Sequence, residues 1–195
     1  RGHELRIETN LNVQKFDYGG NVLEYKIPNL WGSFYQFESA VGRRFDDSFL
    51  EFGVTKEFLR PKDYELGVTY AGNRFDHTIL ASDTTVKVKS RDFNLWTGYS
   101  HPIGKTNGFI AARYNYRRFT TRPEDTDVRT HPDLHCRNAA LVSLGLYHEH
   151  FYSSDMIYSY GTREYLASGY KSDLTFGYQW GEFSDDYYLG TSQMV

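Results

Sequence analysis

Two adjacent segments lie within residues 29–60, which read NLWGSFYQFESAVGRRFDDSFLEFGVTKEFLR, and both alternate with a period of two. In the first segment, one face carries Tyr35, Phe37, Ser39 and Val41. In the second, one face carries Leu50, Phe52, Val54 and Phe58. Because successive side chains of a β-strand point to opposite faces, each segment is predicted to be a two-faced strand of about ten residues. The short charged joint at 43–47 predicts that they form an antiparallel hairpin.

Strand length and composition indicate a membrane wall. A strand of about ten residues crosses a bilayer when it is tilted by roughly 45°. The chain of 195 residues contains 17 Tyr, 14 Phe and 3 Trp, yet its mean hydropathy is −0.62. A transmembrane barrel reconciles these values, because lipid-facing residues alternate with polar ones and rings collect at both interfaces. The absence of any run of about 18 apolar residues excludes a transmembrane helix. A net charge of −3 argues against a nucleic-acid surface.

The same alternation predicts strands along the rest of the chain. They are expected at 5–13, 21–27, 64–70, 92–99, 110–116, 140–146, 171–180 and 187–193, with weaker signals at 85–89 and 156–161. Turns are expected at 18–20 and, ending a strand, at Pro28. Long polar loops are expected at 72–91, 120–137 and 161–169, on alternate joints. Since outer-membrane barrels have short periplasmic turns and long extracellular loops, the first strand is predicted to leave the periplasmic side.

Two sets of residues are candidates for function. Lipid-facing or interfacial positions are expected at Tyr35, Phe37, Phe52, Leu66, Tyr70, Trp96, Leu144, Phe176 and Trp180. One face of the first strand carries Leu5, Ile7, Thr9, Leu11 and Val13. The alternative explanation for the rings is the ordinary core of a closed soluble barrel.

A short turn sequence carries a family resemblance. Asn29, Leu30, Trp31 and Gly32, followed by Ser33, resemble the turn between the second and third barrel strands of BamA-type outer-membrane assembly proteins, the surface-antigen superfamily. Residues 54–61, VTKEFLRP, and 64–70, YELGVTY, resemble the end of the next hairpin and the strand that follows it. Residues 165–172, YLASGYKS, resemble a joint before a long strand, without its expected proline.

The resemblance implies a fold and a location. Residues 1–195 would form one all-β segment of an antiparallel up-and-down transmembrane β-barrel, with about ten or eleven of about sixteen strands. In this expectation the segment carries neither periplasmic POTRA repeats nor a closing strand, and it lies in the outer membrane of a Gram-negative bacterium. It would have no catalytic site, cofactor or metal.

The resemblance also implies a function. The barrel would assist insertion and assembly of outer-membrane proteins, or translocation, by adding a substrate strand at a lateral seam formed by the first strand. The implied partners are outer-membrane lipids and lipopolysaccharide, unfolded outer-membrane proteins, and accessory lipoproteins, with no nucleic acid.

Three other functions remain open. One is a passive porin-like or adhesive barrel, and another is a soluble lipocalin-like barrel. The third is an outer-membrane acyl hydrolase using a Ser and a His, although adjacent Ser100 and His101 point to opposite faces and so cannot pair with each other. Four arginines are expected to line a polar lumen, to meet lipopolysaccharide phosphates or simply to lie at solvated strand ends: Arg43, Arg113, Arg117 and Arg118.

Two polar clusters suggest metals only weakly. His131, Asp133, His135 and Cys136 include zinc-type ligands, but Pro132 interrupts them, and we favour a solvated extracellular loop. Glu124, Asp125 and Asp127 offer oxygen ligands for calcium, without the glycine and distal glutamate that a calcium loop requires.

Overall fold

The computed structural model describes residues 2–12, 17–57, 62–79, 84–123, 125–155 and 163–194. They form one antiparallel sheet of ten strands in chain order. The strands are β1 Glu4–Asn12, β2 Asp17–Leu30, β3 Tyr35–Arg44, β4 Asp47–Lys56, β5 Asp63–Ile79, β6 Thr84–Ile103, β7 Thr106–Thr121, β8 Arg137–Asp155, β9 Arg163–Gly181 and β10 Asp185–Met194. A helix, α1 Asp125–Thr130, and a 3-10 helix, Pro132–Leu134, connect β7 to β8. The all-β, up-and-down prediction is confirmed, but β1 and β10 are separate edges and the described sheet is not closed.

The β3–β4 hairpin forms as predicted from the alternating sequence. Its pairs run from Arg44 opposite Asp47 to Gln36 opposite Thr55. Phe45 occupies the turn with a φ of 54°, and its backbone N–H donates to the carbonyl of Gly19 in β2. The hairpin is therefore joined to the preceding strand through its turn as well as through its ladder.

Strand β2 is longer than the sequence predicted. Residues 18–20 lie inside it rather than in a turn, and Gly20 has a φ of 116° beside a register shift in the β1–β2 ladder. This is a β-bulge, where an extra residue is accommodated without reversing the chain. Pro28 does not end the strand, because it lies at an irregularity in the β2–β3 ladder, where its missing N–H is tolerated. The β1–β2 turn and Val13 lie outside the described residues.

The predicted long loop at 72–91 is wrong. Strands β5 and β6 continue as a paired hairpin up to Ile79 opposite Thr84. In the alternating stretch 85–89, Val88 is fully buried and the flanking lysines are exposed. Polar composition did not prevent strand formation, because main-chain pairing and one buried face were sufficient.

The predicted loop at 161–169 and the joint at 149–155 are also wrong. Strands β8 and β9 pair as far as Asp155 opposite Arg163. The weak strand predicted at 156–161 lies outside the described residues. Since the β8–β9 connection lies at the opposite end of the sheet from the β5–β6 connection, the predicted sorting of long loops to one end does not hold. Of the three connections predicted to be long, only the β7–β8 connection is a long loop in the described structure, and it contains both helices.

Within the described residues, the buried apolar side chains are few: Val22, Val88, Phe119, Val128 and Leu134. All but Val22 form one cluster, in which the β7–β8 connection packs on the β5–β6 hairpin tip. We call this cluster and its connection the cap, and this end of the sheet the cap end. The broad faces of the ten strands have no comparable packing, although a sheet normally buries one face. Neither of the described helices has the length and apolar character to cross a membrane.

Candidate functional site: a two-faced sheet with a capped end

One face of the sheet is apolar on every strand. Directly opposed residues share a face, so the register assigns this apolar face unambiguously. It carries Ile7, Leu23, Phe37, Leu50, Val68, Leu95, Ile110, Val142, Leu174 and Leu189. Leu50 is 47% exposed and Leu144 is 45% exposed. Such a continuous exposed apolar surface marks an interaction site, because soluble monomers rarely expose patches of more than a few hundred Å².

Most predicted lipid-facing residues lie on this apolar face, with Trp96 as the exception. Those on the apolar face are Tyr35, Phe37, Phe52, Leu66, Tyr70, Leu144, Phe176 and Trp180. Trp96 lies on the other face, directly opposite Gly67 and Arg113, whose Cζ is 5.6 Å from the ring centroid. Trp96 is one residue out of phase with Leu95, so the register places it on the opposite face from the other residues of this set.

Aromatic rows border the apolar face toward both ends. Near the cap end, a row of opposed residues contains Phe52, Tyr70, Phe93 and Tyr116. The rings of Phe52 and Tyr70 stack with centroids 5.2 Å apart. Toward the opposite end, the hydroxyls of Tyr35 and Tyr64 approach to 3.4 Å. The aliphatic side chains between these rows form a band bounded on both sides by aromatic rings.

The other face, which we call the polar face, carries paired charges. Lys26 Nζ lies 2.8 Å from Glu38 Oε1, and Arg6 Nη1 lies 3.4 Å from Glu24 Oε2. On later strands, the guanidinium of Arg117 donates to the carboxylate of Asp92. The carboxylate of Asp92 also accepts from Asn73 Nδ2 at 3.4 Å. Opposite charges across neighbouring strands therefore satisfy one another on this face.

Glycines on the polar face accommodate large neighbours. A Cβ built at Gly67 would overlap the ring of Trp96, and one at Gly98 would come within 2.6 Å of the Glu65 carboxylate. By contrast, a Cβ at Gly72 on the apolar face would meet no atom closer than 3.8 Å. At these positions, small residues let long polar-face side chains lie across adjacent strands.

The predicted seam strand lies at one edge of the sheet. Leu5 and Ile7 in β1 oppose Tyr25 and Leu23 in β2, and Thr9 opposes Asn21. After the bulge, Leu11 opposes Tyr18. Leu5, Ile7 and Leu11 are each about two-thirds exposed. In the described sheet β1 pairs with β2 alone, so its second edge carries unpaired main-chain groups.

The four residues that carry the family resemblance form the β2–β3 turn. Trp31 and Gly32 have φ values of 52° and 77°, and the N–H of Ser33 donates to the carbonyl of Leu30 at 3.0 Å. Two consecutive positive φ values are typical of a type I′ turn. This turn lies within the four-residue loop 31–34, in which Phe34 also has a positive φ, of 62°. The side-chain oxygen of Asn29 accepts from the N–H of Phe34 at 3.0 Å. The predicted tight joint is confirmed, and Trp31 is 90% exposed at its tip.

The cap is joined to the neighbouring β9–β10 turn. Arg122 donates two hydrogen bonds of 2.5 Å to the two carboxylate oxygens of Glu182. These bonds lower the pKa of Glu182 below its ordinary value. The N–H of Glu182 also donates to the carbonyl of Cys136 at 3.2 Å. The ring centroids of His135 and Phe183 lie 4.5 Å apart. The β7–β8 connection is therefore fixed in place rather than free above the sheet.

The polar residues considered for metals have structural contacts. Cys136 Sγ accepts from the N–H of Phe119 at 3.3 Å, and His135 Nε2 lies 2.9 Å from the carbonyl of Val128. His131 contacts the ring of His77 with centroids 5.5 Å apart. No group of three or more potential metal ligands occurs in the described parts of the chain. Glu124 is outside those parts, so the calcium hypothesis is not tested as a set.

The structure separates the residues considered for hydrolysis. Ser100 is fully buried on the polar face, where its Oγ lies 2.9 Å from the hydroxyl of Tyr147. His101 lies on the apolar face, stacked on Tyr99 with centroids 6.3 Å apart. The two side chains do not form a nucleophile–base pair with each other.

The four arginines considered together fall into two groups. Arg113 and Arg117 lie on the polar face, whereas Arg43 and Arg118 lie on the apolar face at the cap end. The register adds three residues that the sequence reasoning missed, Arg74, Lys89 and Arg91. They were missed because 72–91 was interpreted as a loop, although the alternation at 85–89 was a usable signal. We call Arg43, Arg74, Lys89, Arg91 and Arg118 the cationic belt.

The chain matches no protein-family model, and it has no significant match among curated proteins or solved structures. The fold defines an all-β protein with one antiparallel up-and-down sheet.

Proposed function

We propose that the chain forms part of the wall of a bacterial outer-membrane β-barrel of the BamA-like type, which assists insertion or translocation of outer-membrane proteins. The exposed apolar face carries this proposal, because it extends over all ten strands while the opposite face is polar and ion-paired. A membrane barrel requires this arrangement, with apolar residues toward lipid and polar residues toward the lumen.

The height of the apolar face, measured from the aromatic row at Tyr64 across the aliphatic band and the second aromatic row to the cationic belt, supports a membrane-spanning position. Ten residue steps in β5 separate Tyr64, in one aromatic row, from Arg74 in the cationic belt. Ten steps correspond to about 33 Å along a strand, or about 25 Å of membrane height at a tilt of roughly 40°. The apolar band of outer-membrane barrels is about 25 Å tall. Lipid would cover this band, and the paired charges of the polar face would line a hydrated lumen.

The open edge of β1 supports the assembly role. Unpaired N–H and C=O groups on a strand edge can add an incoming strand by β-augmentation. Lipid cannot satisfy these groups, so an edge in the membrane must be closed by another barrel strand or occupied by a substrate strand. In this proposal the partners are unfolded outer-membrane proteins at the edge, outer-membrane lipids around the wall, and accessory lipoproteins.

A passive porin-like or adhesive barrel is the second candidate, and the cap favours it. The cap has its own buried cluster, including Val128 and Leu134, and is joined to the β9–β10 turn. A fixed external structure suits a pore mouth or an adhesive surface and has no necessary part in strand addition. This candidate shares the membrane wall with the first, and differs from it only in the role of β1.

Spin labels on neighbouring residues of β5 test the membrane wall. In full-length protein with Cys136→Ser, labels at Val68→Cys and at Thr69→Cys would probe opposite faces of one strand. In a membrane, the label at 68 should be quenched by oxygen and the label at 69 by a water-soluble nickel complex. The proposal fails if both labels are accessible only from water. Labels at Phe52, Leu66 and Leu144 extend the test across the sheet.

Crosslinking at the edge strand tests the assembly role separately. A cysteine at Ile7 should form disulfides with cysteines in the terminal strand of a substrate barrel protein during insertion. A cysteine at Leu144, in the middle of the sheet, is the matched control and should not crosslink. If the wall is embedded but Ile7→Cys gives no more crosslinking than Leu144→Cys, the passive barrel is the better function.

A further inference from the structure

The cationic belt forms two neighbouring rows on the apolar face. One row of opposed residues contains Arg43, Ser48, Arg74 and Lys89. The next row contains Val41, Leu50, Gly72, Arg91 and Arg118. The row after that contains the aromatic side chains Phe52, Tyr70, Phe93 and Tyr116. Along this face, the surface therefore changes from aliphatic to aromatic to cationic within a few residues.

The belt contains two pairs of like charges. Arg74 lies directly opposite Lys89, and Arg91 lies directly opposite Arg118. Directly opposed side chains are about 5 Å apart at Cβ, and like charges in such positions are destabilising. An arrangement of this kind is stabilised when an anion binds between the cations.

No carboxylate of the described residues neutralises the centre of the belt. Arg43 has a weak ion pair with Asp46, at 4.0 Å between exposed side chains. Arg74, Lys89, Arg91 and Arg118 are exposed and form no ion pair with another described residue, although Asp76 lies nearby on the same face. Arg6, Lys26 and Arg117 on the polar face all have carboxylate partners. The four belt cations therefore differ from these three in having no carboxylate partner among the described residues.

Two adjoining grooves bring the cations together with apolar side chains. One groove, of about 670 Å³, is lined by Arg43, Arg74, Lys89 and Arg91 together with Val41, Leu50 and Tyr70. The second, of about 620 Å³, is lined by Arg91, Arg118, Phe93 and Tyr116, and also by Asp92, whose carboxylate is paired with Arg117. Tyr70 and Arg91 line both grooves. A ligand that fills them would need anionic groups at the cap end and hydrocarbon toward the aliphatic band.

The opposite end of the apolar face differs in charge. There the face carries Tyr35, Tyr64 and Tyr99. Its cation Lys56 is buried and ion-paired with Asp63 at 2.8 Å. Lys62 and Lys105 are exposed near this end, but the five neighbouring cations of the belt lie at the cap end. A lipid with a strongly anionic headgroup would therefore be favoured at the cap end.

We infer that the cationic belt binds the phosphorylated glycolipid headgroup of lipopolysaccharide, with its acyl chains on the adjoining apolar band. The inference rests on the proposed membrane position of the wall and places the cap end in the outer leaflet. Arginine guanidinium groups bind phosphate through paired charge-assisted hydrogen bonds, which suits Arg74, Arg91 and Arg118. A bisphosphorylated lipid A would place its phosphates between the opposed like charges and neutralise them.

Binding of purified lipid A to the protein in nanodiscs tests this site. The triple variant Arg74→Ala, Arg91→Ala, Arg118→Ala should bind hexa-acylated bisphosphorylated lipid A at least tenfold more weakly than the parent, as measured by native mass spectrometry. The triple variant Arg6→Ala, Arg113→Ala, Arg117→Ala removes equal charge from the polar face and should bind like the parent. Dephosphorylated lipid A should bind weakly to all three proteins.

Equal lipid A binding by the parent and the belt variant would overturn the inference, as would an equal loss in the polar-face variant. Labels at Val68→Cys and Thr69→Cys in the same nanodiscs distinguish this result from failure of the proposed function. If the label at 68 is in lipid and binding is unchanged, only the lipopolysaccharide site is wrong. If that label is in water, the membrane wall itself is wrong. The single variant Arg118→Gln repeats the test if the triple variant does not fold.

Discussion

Arg122 and Glu182 are joined by two hydrogen bonds of 2.5 Å across two different connections at the cap end. Arg122 lies in the β7–β8 connection, and Glu182 lies in the β9–β10 turn. Bidentate pairing with arginine is stronger and more directional than an ordinary surface ion pair. The pair therefore fixes the cap relative to the sheet.

The position of the cap should depend on pH through Glu182. Its pKa lies below the ordinary 4.5, chiefly because Arg122 hydrogen-bonds the charged form. A lowered pKa in the folded state gives stabilisation that is present above 4.5 and is lost as pH falls through the lowered value. A spin label at Arg129→Cys, with Cys136→Ser, should keep constant mobility down to pH 4.5 and become more mobile below it. In Glu182→Gln the label should be mobile throughout, and a pH transition there would contradict the assignment.

Leu134→Ala should open the cap without unfolding the sheet. Leu134 is 1% exposed and packs with Val88, Phe119 and Val128. Truncating a buried leucine costs about 2–5 kcal/mol, and Leu134 is one of only four buried residues in this cluster of the described chain. Hydrogen exchange of amides 125–134 should become fast while the β3–β4 ladder stays protected. Asp133→Ala, at an exposed neighbouring position, is the control, and loss of protection in β3–β4 would contradict a separate cap.

Gly67→Val should destabilise the sheet through Trp96. A Cβ at position 67 would overlap the indole ring, and overpacking costs about 1–3 kcal/mol. The midpoint of urea unfolding in detergent should fall in Gly67→Val and recover partly in Gly67→Val with Trp96→Ala. Gly72→Val, in the same strand, should be tolerated, because no atom lies closer than 3.8 Å. Equal effects at positions 67 and 72 would show that the indole is not responsible.

Arg118→Glu should separate stability from lipid binding. It replaces a like-charge pair with Arg91 by an opposite-charge pair. Without lipopolysaccharide, the free energy of unfolding in detergent should rise by a small amount, on the order of 0.5 kcal/mol for exposed side chains. Lipid A binding should fall, because a carboxylate then occupies the phosphate position. Arg118→Gln should be intermediate in both measurements, and a loss of stability in Arg118→Glu would show that Arg91 and Arg118 do not repel each other.

The sequence predicted fold class well where both faces alternated strictly. The β3–β4 hairpin is the clearest case, since Phe37 and Val54 fall on the same face in the expected register. Prediction failed where polar residues occupied a strand, as at 72–91, because main-chain pairing between the two halves of this stretch decided the structure there, and its polar composition did not reveal that pairing. At Trp96 the grouping follows residue type, whereas the register places the flanking Leu95 and Thr97 on the apolar face and the indole on the opposite face.

The candidate site was predicted only in part. The apolar face and the first strand follow from local alternation, which one segment reveals by itself. The cationic belt depends on which strands are neighbours, because Arg74 and Lys89 are fifteen residues apart and Arg91 and Arg118 are farther apart still. Grouping Arg74, Lys89 and Arg91 with Arg43 and Arg118 requires the pairing register across β3 to β7, which a single sequence does not contain.

The small number of buried side chains in the strands also affects how the chain folds. Hairpins such as β3–β4 bury little apolar area by pairing alone, so pairing in water contributes little toward the entropy lost on ordering. Completion of the sheet must then coincide with the arrival of whatever covers the apolar face. Until the apolar face is covered, its exposed strands can associate with those of other copies of the chain. Folding therefore succeeds only if this face is covered faster than the copies aggregate.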